Sequence, residues 1–214
     1  MDIYYSAYEK IGTRKRICSS IYLTVKNVIT SGLVSPKEKI DEIEIANALD
    51  VSQKSVREAL KILEFDHYVK YLKGKGYTVE SITIEDVLKL YEFIGFISAF
   101  SMPLIDMNDI TNQIILEESI KNIKEESNFF ADKKFHIGLI LCRNNSEILD
   151  MMEKTYDRLL WGFNILGIKD IKQNIIEDHI KIIDYIKENK NNSKEYFDIL
   201  MRHYNLHIEN IFNE

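Results

Sequence analysis

Proline occurs only twice and glycine eight times in 214 residues. So few chain breakers favour long helices over a fold built on many tight turns. Cysteine is as scarce. Cys18 and Cys142 lie far apart with no CxxC spacing. That excludes a disulfide framework and a cysteine-based metal cluster, and fits two reduced thiols. No uninterrupted apolar run reaches the roughly 18 residues of a membrane-spanning helix. The start, MDIYYSAYEK, lacks the basic and apolar regions of a secretory leader. A cytoplasmic protein with no membrane partner is therefore expected. Histidine is rare too, five in all, so imidazoles that share a face carry weight.

Positive charge is also short, with a formal net of −6. That argues at first against a nucleic-acid partner. The charges are unevenly placed, however. Residues 1–80 hold 13 Lys+Arg against 11 Asp+Glu, a net of +2, and residues 81–214 hold 15 against 23, a net of −8. Such asymmetry fits a nucleic-acid-binding head on an acidic body.

The apolar pattern supports that division. Ile17, Ile21, Val25 and Val28 recur at helical spacing and predict a helix over 13–31, stopped by Gly32. A Ser35-Pro36 connection follows. Ile43, Ala46 and Leu49 mark a short second helix, Asp50-Val51 a turn, and Ser52 an N-cap for a third helix over 53–65. Two extended runs, Tyr68 to Leu72 and Tyr77 to Ser81, flank the turn Lys73-Gly74-Lys75-Gly76 and predict a hairpin. Three helices and a hairpin are the outline of a winged helix-turn-helix. Beyond Ile84 the pattern predicts only helices, over 84–101, 107–125, 129–143, 145–166, 171–189 and 194–212. Short breaks between them predict an antiparallel bundle. The expected fold is thus mainly α, with a head over 1–81 and an all-helical domain over 82–214.

In the third helix Val56, Ala59, Leu60 and Leu63 take one face, while Lys54, Arg57 and Lys61 share another. A helix that buries one stripe and offers a basic one can enter the major groove, where Arg and Lys reach phosphates or guanine edges. Ser52, Gln53 and Ser55 make its first turn polar, and a helix N-terminus favours phosphate. Lys73, Gly74, Lys75 and Gly76 then form the wing tip. Its glycines allow close backbone approach, and its lysines neutralise phosphates. Each charge alone is ordinary for a solvated helix face; the order of elements around them is what points to double-stranded DNA.

These residues resemble the GntR-type regulators. Ser31-Gly32-Leu33-Val34-Ser35-Pro36 follows that family's G-x-L-x-P-G turn, with Lys37 in place of the second glycine. Ile45-Ala46-Asn47-Ala48-Leu49-Asp50-Val51-Ser52, Val56-Arg57-Glu58-Ala59-Leu60 and Gly74-Lys75-Gly76-Tyr77-Thr78-Val79 follow its later motifs. Gln53 stands where the family commonly has a DNA-touching Arg, so operator preference should shift towards adenine contacts. Phe65-Asp66-His67-Tyr68 stands in place of the family's E-G-L-V.

The helical half carries four of the five histidines. Asp132 and His136 are one turn apart. His179 shares the stripe of Ile175, Ile182, Ile183 and Ile186, and His203 and His207 share that of Tyr196, Leu200 and Ile211. Three helices thus aim imidazoles inward beside one carboxylate, a set suited to divalent Zn, Ni, Fe or Mn. Each histidine by itself would ordinarily be a core or surface residue. Asp178, beside His179, is either an outer partner of the set or a surface charge.

Asp132-x-x-Phe135-His136, Asn144-Asn145, Asp178-His179-x-x-Ile182 and the Leu200–His203 stretch are similar to the FadR-type C-terminal (FCD) domain of GntR regulators. The resemblance implies a divalent metal held by Asp132, His136, His179 and His203 beside an effector pocket, with His207 competing for the last place. That domain's usual R-x-x-x-E is here Ile94 and Ser98, which weakens the inference to a carboxylate effector unless Arg143, Arg158 or Arg202 supplies the cation. The reading is a homodimeric, ligand-responsive transcriptional regulator, and the family's common mode implies a repressor. The alternative is a metal-dependent enzyme with a DNA-binding-like head, since an open metal site can activate water.

Overall fold

The computed structural model describes residues 17–125, 128–168, 175–188 and 194–202. The chain divides into two compact units between Thr83 and Ile84, with 164–166 grouped with the first.

The head begins with α1 (Ile17–Thr30), whose Ile21, Val25, Val28 and Ile29 are wholly buried. Gly32 ends it at φ +71°, a left-handed conformation that lets Leu33 N–H bond back to Val28 O at 3.2 Å. Next come β1 (Lys39–Ile40) and α2 (Glu42–Leu49). Asp41 caps α2 by accepting from the N–H groups of Ile43 and Glu44 at 2.8 and 3.2 Å. Asp50 closes α2 at φ +51°. Ser52 then caps α3 (Gln53–Phe65), accepting from Ser55 N–H at 3.1 Å. Val56, Ala59, Leu60 and Leu63 are fully buried, the period-3.6 stripe expected of a helix lying on a core.

The hairpin is β2 (Val69–Leu72) and β3 (Gly76–Val79), antiparallel, with Leu72 opposite Gly76. It is not a free hairpin. The sheet has three strands in the order β1-β3-β2, and Lys39 and Ile40 pair with Thr78 and Tyr77. The sequence predicts only a Ser35-Pro36 connection there. A two-residue strand shows no alternation, and its partner lies beyond two helices and β2.

Three non-glycine residues of the head, Lys37, Asp50 and His67, hold positive φ, at 69°, 51° and 62°. Lys37 occupies the second glycine position of the turn motif above. His67 corrects the third match. It holds the left-handed place after α3, so the E-G-L-V motif falls on Asp66-His67-Tyr68-Val69, one residue later than the sequence alone suggests.

The second unit contains α4 (Ile84–Ser101), a 3-10 turn (Met102–Leu104), α5 (Ile110–Glu125), α6 (Phe129–Leu141), α7 (Ser146–Leu166) up to Phe163, α8 (Ile175–Lys187) and a helix over 194–202, here α9. No strand occurs in it among the described residues. Side-chain caps set three of the starts. Asn128 caps α6, Asn145 caps α7, and Asp109 accepts from Thr111 N–H at 2.8 Å. That last bond explains why α5 starts at Ile110 and not at 107. Gly138 brings α6 very near α5, since a Cβ there would lie 2.5 Å from Ser119 Oγ. The stretch Ile84–Leu104 is long and apolar enough, by length and composition, to cross a membrane. Its Tyr91, Ile94, Gly95 and Ser98 face inward on one stripe, however, the pattern of a core helix.

Candidate functional site

Each unit carries one set of candidate site residues. In the head, Gln53, Lys54, Arg57 and Lys61 are exposed on α3, opposite its buried stripe, and Ser52 is an exposed cap. Ser55 is half-buried, its hydroxyl 2.9 Å from that of Ser52. Lys73, Gly74 and Lys75 are exposed at the turn, and Gly76 opens β3. Gly74 and Gly76 hold φ of +79° and +87° with nothing within 4 Å of an added Cβ. Backbone conformation, not crowding, is what requires glycine at both places.

Two of the three α3 cations are paired within the chain. Arg57 donates from Nε at 3.0 Å and from Nη2 at 2.8 Å to the same oxygen, Oε2 of Glu42. Lys61 Nζ lies 4.0 Å from Glu58. The Glu42 contact joins residues on two different helices, and no sequence spacing encodes it. It also raises the Arg57 pKa above its ordinary value through that hydrogen bond and charge.

In the helical unit the structure brings Asp132 and His136 of α6 together with His179 of α8. All three are at most 2% exposed. Their ligand-type atoms lie within 4.8 Å of one another. His179 Nε2 is 3.1 Å and His136 Nε2 is 3.5 Å from Asp132 Oδ1. The walls are aromatic. Phe135 stands edge-on to both imidazoles, and Tyr156 stacks on His136. Burial pulls the His136 pKa below its usual value, against the opposing charge of Asp132. The ring is thus neutral at pH 7, the form that donates a lone pair to a metal. Burial, and then the charge of Asp132, pushes the Tyr91 phenol far up, so it stays protonated. One carboxylate and two imidazoles in a buried, aromatic-walled site fit a divalent cation of the Zn, Ni, Fe or Mn class.

His203 and His207 lie outside the described residues. Asp178, read as either an outer partner of the set or a surface charge, is not a surface charge. It is 4% exposed and accepts from Arg202 of α9 at 3.0 Å, with Lys181 at 3.5 Å. Ile94 and Ser98 are both wholly buried on α4. Arg143 donates to Leu104 O at 2.6 Å, so Arg143 and Arg202 are both engaged inside the unit.

Residues 18–79 match the family described as "Bacterial regulatory proteins, gntR family". The chain is similar to the HTH-type transcriptional regulator YdhC of Bacillus subtilis, at 26% identity over 204 residues, covering 90% of this chain and 91% of that one. It is similar to the gluconate operon transcriptional repressor of Bacillus subtilis, at 26% identity, covering 73% of this chain and 67% of the repressor. Among solved structures, a GntR regulator from Rhodococcus sp. RHA1 shares the fold with a TM-score of 0.66 at 20% identity, covering 92% of this chain and 98% of its own.

Proposed function

We propose that this chain, whose residues 18–79 match the gntR family of bacterial regulatory proteins, is a ligand-responsive transcriptional repressor acting as a cytoplasmic homodimer. What carries the DNA-binding part is the gntR match over residues 18–79 together with the exposed Lys54, Arg57 and Lys61 face of α3. A single winged helix reads few base pairs, and two heads on paired half-sites roughly add their binding energies. The similarity to a gluconate operon repressor favours repression over activation.

The helical unit is read as an FCD-like sensor. The buried Asp132, His136 and His179 support a divalent metal there, with His203 as a fourth ligand and His207 as its competitor. A bound metal supplies a fixed positive charge inside an apolar unit. With Ile94 and Ser98 buried where an arginine and a glutamate would stand, that charge takes over the anchoring of an anionic effector such as a carboxylate. Effector binding biases the spacing of the two heads and so the operator affinity. The alternative, a metal-dependent enzyme, has less support, because the similar proteins are named as transcriptional regulators and repressors.

The test pairs two measurements on the full chain. Genomic fragments from its own promoter region are offered in a gel-shift assay, and metal-loaded protein is screened against small carboxylates by thermal shift. Sequence-selective binding weakened by a stabilising ligand is expected. No selective binding at moderate salt, with or without ligand, overturns the reading, and a monomeric mass in light scattering overturns the dimer.

A further inference from the structure

The Glu42–Arg57 pair lies within the head's proposed reading surface. A guanidinium has two bidentate edges, one formed by Nε with Nη2 and one by the two Nη atoms. In Arg57 the first edge is turned onto a single oxygen of Glu42. The other edge makes no further hydrogen bond among the described residues, on a side chain that is 55% exposed, while the Glu42 side chain is only 19% exposed. Glu42 is itself held firmly. It is the first residue of α2, directly after the Asp41 cap that two backbone N–H groups fasten.

We infer that Glu42 is a positioning residue for DNA specificity: it fixes Arg57 end-on for a guanine edge and keeps it from pairing with phosphates at random sequences. The inference rests on the reading of α3 as the DNA-reading helix. Two physical effects combine. An arginine clamped along one edge loses little further freedom when its other edge meets the O6 and N7 of guanine. A phosphate, in contrast, is satisfied by any orientation of a positive charge, and the Glu42 carboxylate offsets that charge. Random-sequence binding, which is driven by phosphate neutralisation and counterion release, is therefore weakened more than guanine readout.

The experiment uses the full chain and a duplex that the wild-type protein selects from a random-sequence pool, with a scrambled duplex as competitor. Glu42→Gln and Glu42→Ala are compared with wild type, Arg57→Ala and the Glu42→Ala/Arg57→Ala double variant. Both Glu42 variants are expected to bind scrambled DNA several-fold more tightly. Their slope of log affinity against log salt should steepen by about 1, the signature of one more phosphate contact. The ratio of selected to scrambled affinity should fall at least tenfold, and reselection should show relaxation at the base pair that Arg57→Ala also relaxes. In the double variant, Glu42→Ala should add no further loss of selectivity. An unchanged ratio overturns the inference, whatever happens to thermal stability, because a purely structural pair moves the melting temperature and not the selectivity. Equal gains on both duplexes overturn it too, since they mean simple charge repulsion. Absence of selective binding by the wild type defeats the DNA-reading assignment itself and is seen before any variant is made.

Discussion

His179 Nε2 sits 3.1 Å from Asp132 Oδ1, so one carboxylate oxygen links α8 to α6 inside the helical unit. The same oxygen is 3.5 Å from His136 Nε2. A metal would replace these contacts with stronger ones. Protein purified without chelator should contain about one divalent metal per chain, and His136→Ala or His179→Ala should lose it. At a hundredfold excess over Kd, metal should stabilise the wild type by about 2.7 kcal/mol, and the variants not at all. Content near zero that added Zn, Ni or Mn fails to restore would sink this assignment.

Acidity tests the same site with a defined sign. Burial depresses the folded-state pKa of His136 below that of the unfolded chain. The stabilising contribution is therefore complete above the ordinary histidine pKa of about 6.5 and is lost as pH falls through and below it, because the unfolded chain takes up a proton that the folded one refuses. Melting temperature of metal-free protein should drop on acidification below about pH 6.5, and less so in His136→Ala. An identical profile for the two proteins would count against it.

Arg57→Ala should weaken binding to the selected operator roughly ten- to hundredfold if Arg57 reads a base. Lys75→Ala, at the exposed wing tip, should weaken every sequence alike and flatten the salt dependence by about one phosphate. Fluorescence anisotropy over a salt series separates the two behaviours. A sequence-dependent loss for Lys75→Ala would remove it from the phosphate-contacting set.

Asp50 and His67 hold left-handed backbone without being glycine. For an L-residue that conformation costs about 1–2 kcal/mol, against about 0.5–1 kcal/mol of extra chain entropy that glycine brings to the unfolded state. Asp50→Gly and His67→Gly should each raise stability by about 0.5–1 kcal/mol in chemical denaturation. Destabilisation by either would mean that its side chain holds the turn.

Cys142 should be slow to react. Burial pushes its thiol up to about 11, so only about one part in a thousand is thiolate at pH 8. Alkylation of native protein should label Cys142 far more slowly than alkylation in denaturant, by mass spectrometry of the peptide. Comparable rates would contradict its buried placement.

Local signals were legible in the sequence. Periodicity alone places α4 at 84–101, and Ser52 as the cap of α3, because each is decided within a few residues. Asp132 and His136 share a face for the same reason. What the sequence did not disclose depends on which elements meet. Lys39 pairs with Thr78 only because two helices return the chain. Arg57 finds Glu42 because α3 crosses α2, and Asp178 is matched by Arg202 from another helix. The inward stripe of His179 could be read, but its approach to Asp132 could not, since helix spacing says nothing of which neighbour a stripe faces.

The central strand of the head's sheet is β3, the last of its elements to leave the ribosome. Neither β1 nor β2 has a partner until residues 76–79 have emerged, although α3 is already complete. The head's sheet therefore closes only after the whole α2–α3–β2 stretch between Lys39 and Thr78 has been made, and the late pairing must overcome the entropy of that long loop. Synthesis that stalls before Val79 leaves a basic helix with no wing. Any excised DNA-binding fragment must therefore retain Lys39 and Ile40 if its sheet is to form as it does in the full chain.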